Sequence, residues 1–163
     1  MTENHQSGLF FDTSGLQAAI AAELSIDYLR LKISKQQWSI LGQYLQPFQL
    51  AANQTLIEQG SKDRSIYLVE SGSLSVHHED GQNLSHIAIV GPGSVVGEGA
   101  FFSYQPRSAT VQGSSVCKLW SLAPMRYTEL ANRHPSEALA LVFALGAVLS
   151  LRHSNKPKSV AIT

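Results

Sequence analysis

Hydrophobic residues in the first part of the chain recur every three or four positions, a pattern typical of a helix with one buried face. Ser14, with Gln17 three residues later, predicts a capping box that begins this helix. The apolar stripe runs through Leu16, Ile20, Leu24, Tyr28 and Leu31.

A second helix is predicted to begin after Ser34, whose hydroxyl can cap the first turn. Its buried side is expected to carry Trp38, Leu41 and Leu45. The helix should end before Pro47, because the residue that precedes a proline disfavours helical geometry.

The spacing of hydrophobic residues changes between about Phe48 and Leu122, where short apolar runs alternate with glycine-rich turns. Asp80-Gly81 predicts a hairpin turn, since both residues tolerate the positive φ that such turns require. Many short strands at this spacing favour a sandwich, barrel or jelly-roll over a parallel sheet. The predicted strands are Thr55–Ile57, Ser65–Val69, Ser73–His77, Leu84–Val90, Ser108–Ser114 and Ser115–Ser121.

The chain becomes helical again after Pro124, with a short helix predicted over Met125–Asn132 and a longer one from His134 to about His153. The longer helix is apolar on all sides, and a single face of a sheet cannot cover so wide a surface. We therefore expect a second protein surface to cover it, and a homodimer through this helix is the simplest expectation. Its apolar residues are Leu139, Leu141, Val142, Phe143, Leu145, Val148, Leu149 and Leu151.

The charge balance argues against direct nucleic-acid binding. The chain has 12 Lys and Arg and 12 Asp and Glu, so its formal net charge is zero. Proteins that bind the phosphate backbone of a nucleic acid usually carry a basic surplus. The one basic cluster, Arg152–Lys158, is predicted to be a solvated tail. No metal or other cofactor is predicted.

The N-terminus lacks the basic start and apolar stretch of a secretory signal. The longest apolar run, Ala138–Leu149, has 12 residues, whereas about 20 are needed to cross a bilayer. Cys117 is the single cysteine, so an intramolecular disulfide is excluded and a reducing compartment fits. These features predict a cytoplasmic protein with no membrane partner.

The stretch from Val96 to Val111 carries the candidate chemistry. Glu98 can accept a hydrogen bond from a hydroxyl, and Arg107, nine residues later, offers a fork of donors suited to a phosphate. Gly97 and Gly99 let the backbone approach a bound group and leave N–H donors for an anion. An acceptor for a sugar and a cation for a phosphate on one loop are what a pocket for a cyclic ribose phosphate requires.

Over roughly 34–153 the chain resembles the cyclic nucleotide-binding domains of the catabolite activator protein and of the regulatory subunits of protein kinase A. Asn53–Gly60 matches the opening strand and turn, and Ile66–Leu74 matches the next strand. Gly91–Glu98 leads into a phosphate-binding cassette that closes with Pro106–Thr110. The resemblance implies an α+β fold, in which a β-roll (double-stranded jelly-roll) is flanked by N-terminal helices and a C-terminal helix. It also implies a signalling module that is not an enzyme.

The resemblance assigns roles by position. Glu98 falls where the family binds the ribose 2′-hydroxyl, and Arg107 where it binds the phosphate oxygens. Ser108 falls where a small or hydroxyl residue lines the phosphate. The N–H groups expected to face the anion, at the start of a short cassette helix, belong to Gly97, Glu98, Gly99 and Ala100.

The resemblance says less about the base. In the family, a helix after the roll closes over the pocket and touches the purine, which here makes Leu149, Arg152 and His153 possible base contacts. Thr110 is a fourth. Cyclic AMP is favoured over cyclic GMP, and ligand binding is expected to draw the cassette and the last helix together.

The cassette departs from the usual family pattern at two positions. Many members have a bulky aliphatic residue where Gly99 stands and an aromatic residue where Val96 stands. We expect Gly99 to remove a side chain that normally packs under the cassette helix, which would loosen that helix. Neither departure touches the expected polar contacts.

The predicted organisation is a helical extension over 1–33, the cyclic nucleotide-binding domain over 34–153 and a flexible tail over 154–163. No helix-turn-helix pattern follows the last helix. We therefore expect a stand-alone domain of this family that acts through an unidentified protein partner.

Three alternatives are open. In the first, the chain is a scaffold or dimerisation domain that binds no effector, and Glu98 and Arg107 pair with each other. In the second, the chain is the regulatory part of a larger transcription factor. A cupin-type metalloenzyme would need converging ligands, but the adjacent His77 and His78 point to opposite faces of a strand.

Overall fold

The computed structural model describes residues 10–22 and 27–155. The helices are α1 (Ser14–Ala22), α2 (Lys35–Gly42), α3 (Glu98–Ser103), α4 (Pro124–Arg133) and α5 (Pro135–Ser154). The strands are β1 (Gln46–Leu50), β2 (Thr55–Ile57), β3 (Ile66–Ser71), β4 (Leu74–Asp80), β5 (Asn83–Val90), β6 (Val95–Val96), β7 (Thr110–Gly113) and β8 (Cys117–Leu122).

The strands form two antiparallel four-stranded sheets with the orders β1-β8-β3-β6 and β2-β7-β4-β5. Strands distant in sequence are neighbours in both sheets, as in a rolled jelly-roll. Helices flank the roll before and after it, so the predicted α+β roll is confirmed.

Two apolar clusters hold the fold together. One fills the space between the sheets around Leu74 and Leu119, and the other joins the roll to the helices around Trp120 and Leu145. Leu16 and Leu29 belong to the second cluster and are fully buried. The segment predicted as an extension therefore contributes to the core of the domain.

The first helix begins differently from its prediction, and two residues of its predicted apolar stripe lie outside it. Ser14 is its first residue, and the amide of Gln17 donates to the carbonyl of Thr13 while its side chain donates to the Thr13 hydroxyl. The predicted capping box at Ser14 is wrong, because Ser14 lies inside the helix and Thr13 supplies both acceptors for Gln17. The described part of the helix runs to Ala22; Tyr28 and Leu31 lie in a non-helical segment, and Leu24 lies outside the described residues.

The second helix matches its prediction. Ser34 accepts from the amide of Gln37, the Gln37 side chain accepts from the amide of Ser34, and the helix follows directly. Trp38, Leu41 and Leu45 are buried. This cap is local in sequence, which is why a four-residue pattern is sufficient to predict it.

All six predicted strands are present; β2 has its ends as predicted and the other five have shifted ends, whereas β1 and β6 were not predicted. Pro47 lies inside β1, which is tolerated because β1 is an edge strand. The β4–β5 turn is also displaced by one residue: Asp80 pairs with Asn83, so the central residues are Gly81 and Gln82. Gly81 has φ 61°, and a glycine in the first central position is typical of a type II′ turn.

Helix α5 is long and apolar enough to cross a membrane by length and composition alone, among the described residues. In the fold, one side of it packs in the core through Leu141, Leu145 and Val148. Leu139 and Phe143 on the other side are 57 % and 71 % exposed. The helix therefore has one face buried in the core and one apolar face open.

Candidate functional site

A cavity of about 590 Å³ lies between the second sheet, α3 and the C-terminal end of α5. Its apolar wall is formed mainly by Ile57, Val76, Ala88, Val90, Val96 and Val111. The charged lining residues fall into two groups by their ion pairs: Arg107, which we call the Arg107 end, and Glu98, Arg152 and Asp27, which we call the Glu98 end. An apolar wall with a few fixed polar groups is typical of a small-molecule site.

Gly97 connects β6 to α3 in a conformation that only glycine adopts easily, with φ 92°. A Cβ at this position would lie 2.6 Å from the carbonyl oxygen of Ser65 and 2.7 Å from Nη1 of Arg107. The backbone therefore turns into α3 in direct contact with the guanidinium. The first N–H groups of a helix lack intrahelical acceptors, so this end of α3 has donors available beside the cavity.

Arg107 is almost completely buried, with 4 % of the residue exposed. Its Nη2 donates to Asp63 Oδ2 and to the carbonyl of Ser65, both at 2.6 Å. Its Nη1 donates to the carbonyl of Gly97 at 3.0 Å. The guanidinium is held in one orientation by the roll and the cassette together.

These contacts use only some of the N–H donors of the Arg107 guanidinium. Arginine has five N–H donors, and the protein engages three of them. Nε of Arg107 is buried and has no hydrogen-bond partner among the described residues. A buried donor without an acceptor costs about 1–3 kcal/mol, so an anion bound here would recover that free energy.

Asp63 forms an ion pair with Arg107 and so stabilises the buried guanidinium. Burial opposes ionisation of its carboxyl group, but hydrogen bonds from Arg107 and Ser65 outweigh that effect and lower the pKa of Asp63 below its ordinary value. The carboxylate therefore stays ionised and balances the buried guanidinium.

Glu98 lies at the start of α3 and is also buried. Its Oε1 accepts from Nη1 of Arg152 at 2.7 Å. Nε of Arg152 donates to Asp27 Oδ2 at 2.9 Å, and Nη1 donates to the carbonyl of Val95 at 2.9 Å. Burial opposes the charge of Arg152, but Glu98 and Asp27 together raise the pKa of Arg152 above its ordinary value.

The structure brings nearly all the predicted site residues to this cavity. Its lining includes Gly97, Glu98, Gly99, Ala100, Arg107, Ser108, Leu149, Arg152 and His153. Thr110 is not among them: its hydroxyl accepts from the amide of Gln59, while its neighbours Ala109 and Val111 face the cavity. Adjacent strand residues point to opposite faces, which explains the difference.

The structure bears on two sequence-based expectations about individual residues. A Cβ on Gly99 would point into open space, with nothing within 4 Å, and the expected loosening of α3 stays a prediction. Arg152, assigned to a solvated tail, is instead ion-paired at the cavity wall. Residues 156–163 of that predicted tail lie outside the described residues.

Sequence reasoning missed Asp27 and Asp63. Asp63 is 44 positions from Arg107, and Asp27 is 125 positions from Arg152. No short motif connects either pair. A buried cation without a sequence-local partner is the only signal that such acids were needed.

The described histidines of β4 and β5 do not converge on a metal site. His77 and His86 are ring neighbours across β4 and β5, whereas His78 lies beside the carbonyl of Ser108. Within residues 10–22 and 27–155 no group of three or more His, Cys, Asp or Glu residues is placed to hold a metal ion.

Comparison with known proteins agrees with this geometry. A family model described as the cyclic nucleotide-binding domain matches residues 47–134. The chain belongs to the cyclic nucleotide-binding domain family. The matched region includes both sheets and the cassette from Gly97 to Arg107.

Among its relatives in this family, the cAMP-dependent protein kinase regulatory subunit of Mycosarcoma maydis is 35% identical over 102 residues, covering 55% of this chain and 19% of the relative. The chain spans 19% to 35% of the length of the curated relatives that we compared.

Two solved structures are similar in fold. A cyclic nucleotide-binding domain from Methylobacillus flagellatus superimposes with a TM-score of 0.74 at 21% identity, covering 85% of this chain and 76% of that one. The regulatory domain of Toxoplasma gondii protein kinase A, solved with cAMP, superimposes with a TM-score of 0.61 at 25% identity, covering 74% and 46%.

Proposed function

We propose that this domain is a sensor that binds a cyclic nucleotide in the 590 Å³ cavity, with cyclic AMP preferred over cyclic GMP. One observation carries the proposal. A buried guanidinium with unused donors and a buried carboxylate lie on the wall of a single cavity that the protein's own side chains leave open. Pockets for small ligands usually measure about 300–1,000 Å³.

Arg107 is the proposed phosphate ligand. The Nε donor and one remaining Nη1 donor are available to an anion, and the other donors fix the group in place. A cyclic nucleotide carries one negative charge, which is costly to bury without a cation. The N–H groups of Gly97, Glu98, Gly99 and Ala100, together with Ser108, would complete the phosphate site.

Glu98 is the proposed acceptor for the ribose 2′-hydroxyl. Arg152 occupies Oε1, and the described residues give Oε2 no hydrogen bond. A carboxylate accepts several hydrogen bonds at once, so a hydroxyl can share Glu98 with Arg152. Leu149, Arg152 and His153 lie where α5 borders the cavity and are the proposed contacts for the base.

The preference for cyclic AMP is supported by relatives named as regulatory subunits of a cAMP-dependent protein kinase. We infer a cytoplasmic, non-enzymatic signalling role on the same basis. Ligand binding would shift the balance between two positions of α5, by as much as the ligand's affinities for those positions differ.

The proposed sensor needs a protein partner to pass on its signal, and the sequence does not identify that partner. The open face of α5 around Leu139 and Phe143 supports a homodimer through this helix. The balanced charge of the chain supports a role without direct nucleic-acid contact.

The scaffold alternative expects Glu98 and Arg107 to neutralise each other. Among the described residues each has a different ionic partner, Arg152 for Glu98 and Asp63 for Arg107. This arrangement leaves the space between the two groups open, which favours the sensor.

Calorimetric titration with cyclic AMP, cyclic GMP and linear 5′-AMP tests the proposal. Saturable heat with a cyclic nucleotide and much weaker heat with 5′-AMP are expected, because the linear phosphate carries additional charge that the Arg107 end cannot match. Folded protein that produces no heat with either cyclic nucleotide would favour the scaffold.

A further inference from the structure

The C-terminal end of α5 is joined to the cavity by a chain of three charged side chains. Arg152 lies in the last turn of α5, Glu98 at the start of α3, and Asp27 in the segment between α1 and α2. Arg152 contacts both acids at once, at 2.9 Å from Asp27 and 2.7 Å from Glu98. The bridge therefore joins three segments that are far apart in sequence.

Asp27 is held in place by its neighbours. Leu29, two residues later, is fully buried, and its amide donates to the carbonyl of Gly93 at 3.1 Å. The loop containing Gly93 leads directly into β6 and the cassette. Asp27 is thus a fixed acceptor on the body of the domain, whereas Arg152 lies at the end of a helix.

The charges around Arg152 are unequal. Two carboxylates face one guanidinium, and Nη2 of Arg152 is buried without a hydrogen-bond partner among the described residues. The side chain is 22 % exposed, so water weakens these interactions only in part. If Asp27 were neutral, the last turn of α5 would keep its contacts with Glu98 and Val95 but lose its ion pair with Asp27.

We propose that Asp27 is a positioning residue for the ligand site, which acts through Arg152 to hold α5 closed against Glu98. This inference rests on the proposed cyclic-nucleotide function and deepens it. Asp27 itself need not touch the ligand. Its role is to keep the α5 wall of the cavity in place and so to slow ligand release.

The first test is the dissociation rate of cyclic AMP labelled with a fluorophore at C8 of the adenine, which leaves the ribose hydroxyl free. After a chase with unlabelled cyclic AMP, Asp27→Asn should release the probe about three- to tenfold faster than wild type, as expected for losing one partly buried ion pair. Glu129→Gln is the matched control, because it also removes a half-exposed carboxylate from an arginine but lies outside the cavity lining.

A double-mutant cycle distinguishes positioning from general destabilisation. In an Arg152→Gln background, Asp27→Asn should change the release rate no further, because Asp27, although it borders the cavity, is proposed to affect the ligand only through Arg152. An equal additional acceleration in that background would overturn the inference.

The second test needs no ligand. Hydrogen exchange of the amides of residues 148–154 should be faster in Asp27→Asn than in wild type and unchanged in Glu129→Gln. Unchanged exchange in Asp27→Asn would overturn the inference even if the protein binds cyclic nucleotides. If wild type binds none, the proposed function fails, and the exchange measurement still decides whether Asp27 holds α5.

Discussion

The Arg107 end and the Glu98 end of the cavity are held by different parts of the fold. The Arg107 end consists of Arg107, Asp63, Ser65 and Gly97, all within the roll and its cassette, and backbone carbonyls take two of its three hydrogen bonds. The Glu98 end depends on Arg152, which lies near the end of α5. One end is therefore fixed by loops within the roll, while the other depends on where a helix lies. Under the proposed function, a site built this way would hold a phosphate at its fixed end and respond to ligand by moving one wall.

Arg107→Ala gives the largest expected effect, because it removes the charge from the fixed end. Losing one partner of a buried charge pair costs about 2–5 kcal/mol, which corresponds to a loss of cyclic-nucleotide affinity of roughly thirtyfold to several thousandfold. Calorimetry measures the loss, with Arg126→Ala as a surface control and circular dichroism to verify folding. Unchanged affinity in a folded Arg107→Ala protein would remove Arg107 from the site.

Two glycines that are two residues apart test how rigid the fixed end is. Gly97→Ala places a Cβ 2.6 Å from a backbone oxygen at φ 92°, so it should lower the free energy of unfolding by about 1–3 kcal/mol. Gly99→Ala faces open space in a helix and should be neutral or stabilising by up to about 1 kcal/mol. Urea unfolding compares the two. Equal effects would show that the contact between Gly97 and Arg107 is not tight.

Glu98→Ala tests the movable end. We expect a loss of about 1–3 kcal/mol in binding, since a ribose hydroxyl would lose its acceptor. The loss should be smaller for the 2′-deoxy analogue of cyclic AMP, which lacks that hydroxyl. Titration of both ligands into both proteins measures the difference. A Glu98→Ala loss that is equal for the two ligands would contradict the assigned contact.

The smallest effect is a dependence of stability on pH at the Arg107 end. The folded-state pKa of Asp63 lies below its ordinary value of 3.8, so its contribution to stability is present at higher pH and is lost as pH falls through the folded pKa. The stability difference between wild type and Asp63→Asn should therefore be constant near neutral pH and close below about pH 4.

Because the Asp63 side chain is 49 % exposed, this contribution should stay below about 1 kcal/mol. Thermal melts of both proteins from neutral pH to about pH 2 measure it. A difference that widens on acidification would have the wrong sign for a lowered pKa.

The sequence alone determined features that depend on near neighbours. The capping box from Ser34 to Gln37 formed as predicted, because both partners lie within one helical turn. The change from helical to strand periodicity favoured a sandwich, barrel or jelly-roll over a parallel sheet, and the resemblance to cyclic nucleotide-binding domains implied the β-roll and the phosphate-binding cassette. Local patterns were less accurate about boundaries: the start of α1 and the β4–β5 turn each shifted by one residue, since Thr13 supplies the acceptors for Gln17 and Gly81 takes the first central position of the turn.

Only the tertiary structure decided which charges meet. Asp63 reaches Arg107 across 44 positions, and Arg152 reaches Glu98 across 54 and Asp27 across 125. Ionic partners at such separations are set by the path of the chain through two sheets and a returning helix, which no local period encodes. The sequence could therefore indicate the chemistry of the cavity, but the groups that hold its arginines in place became visible only in the folded chain.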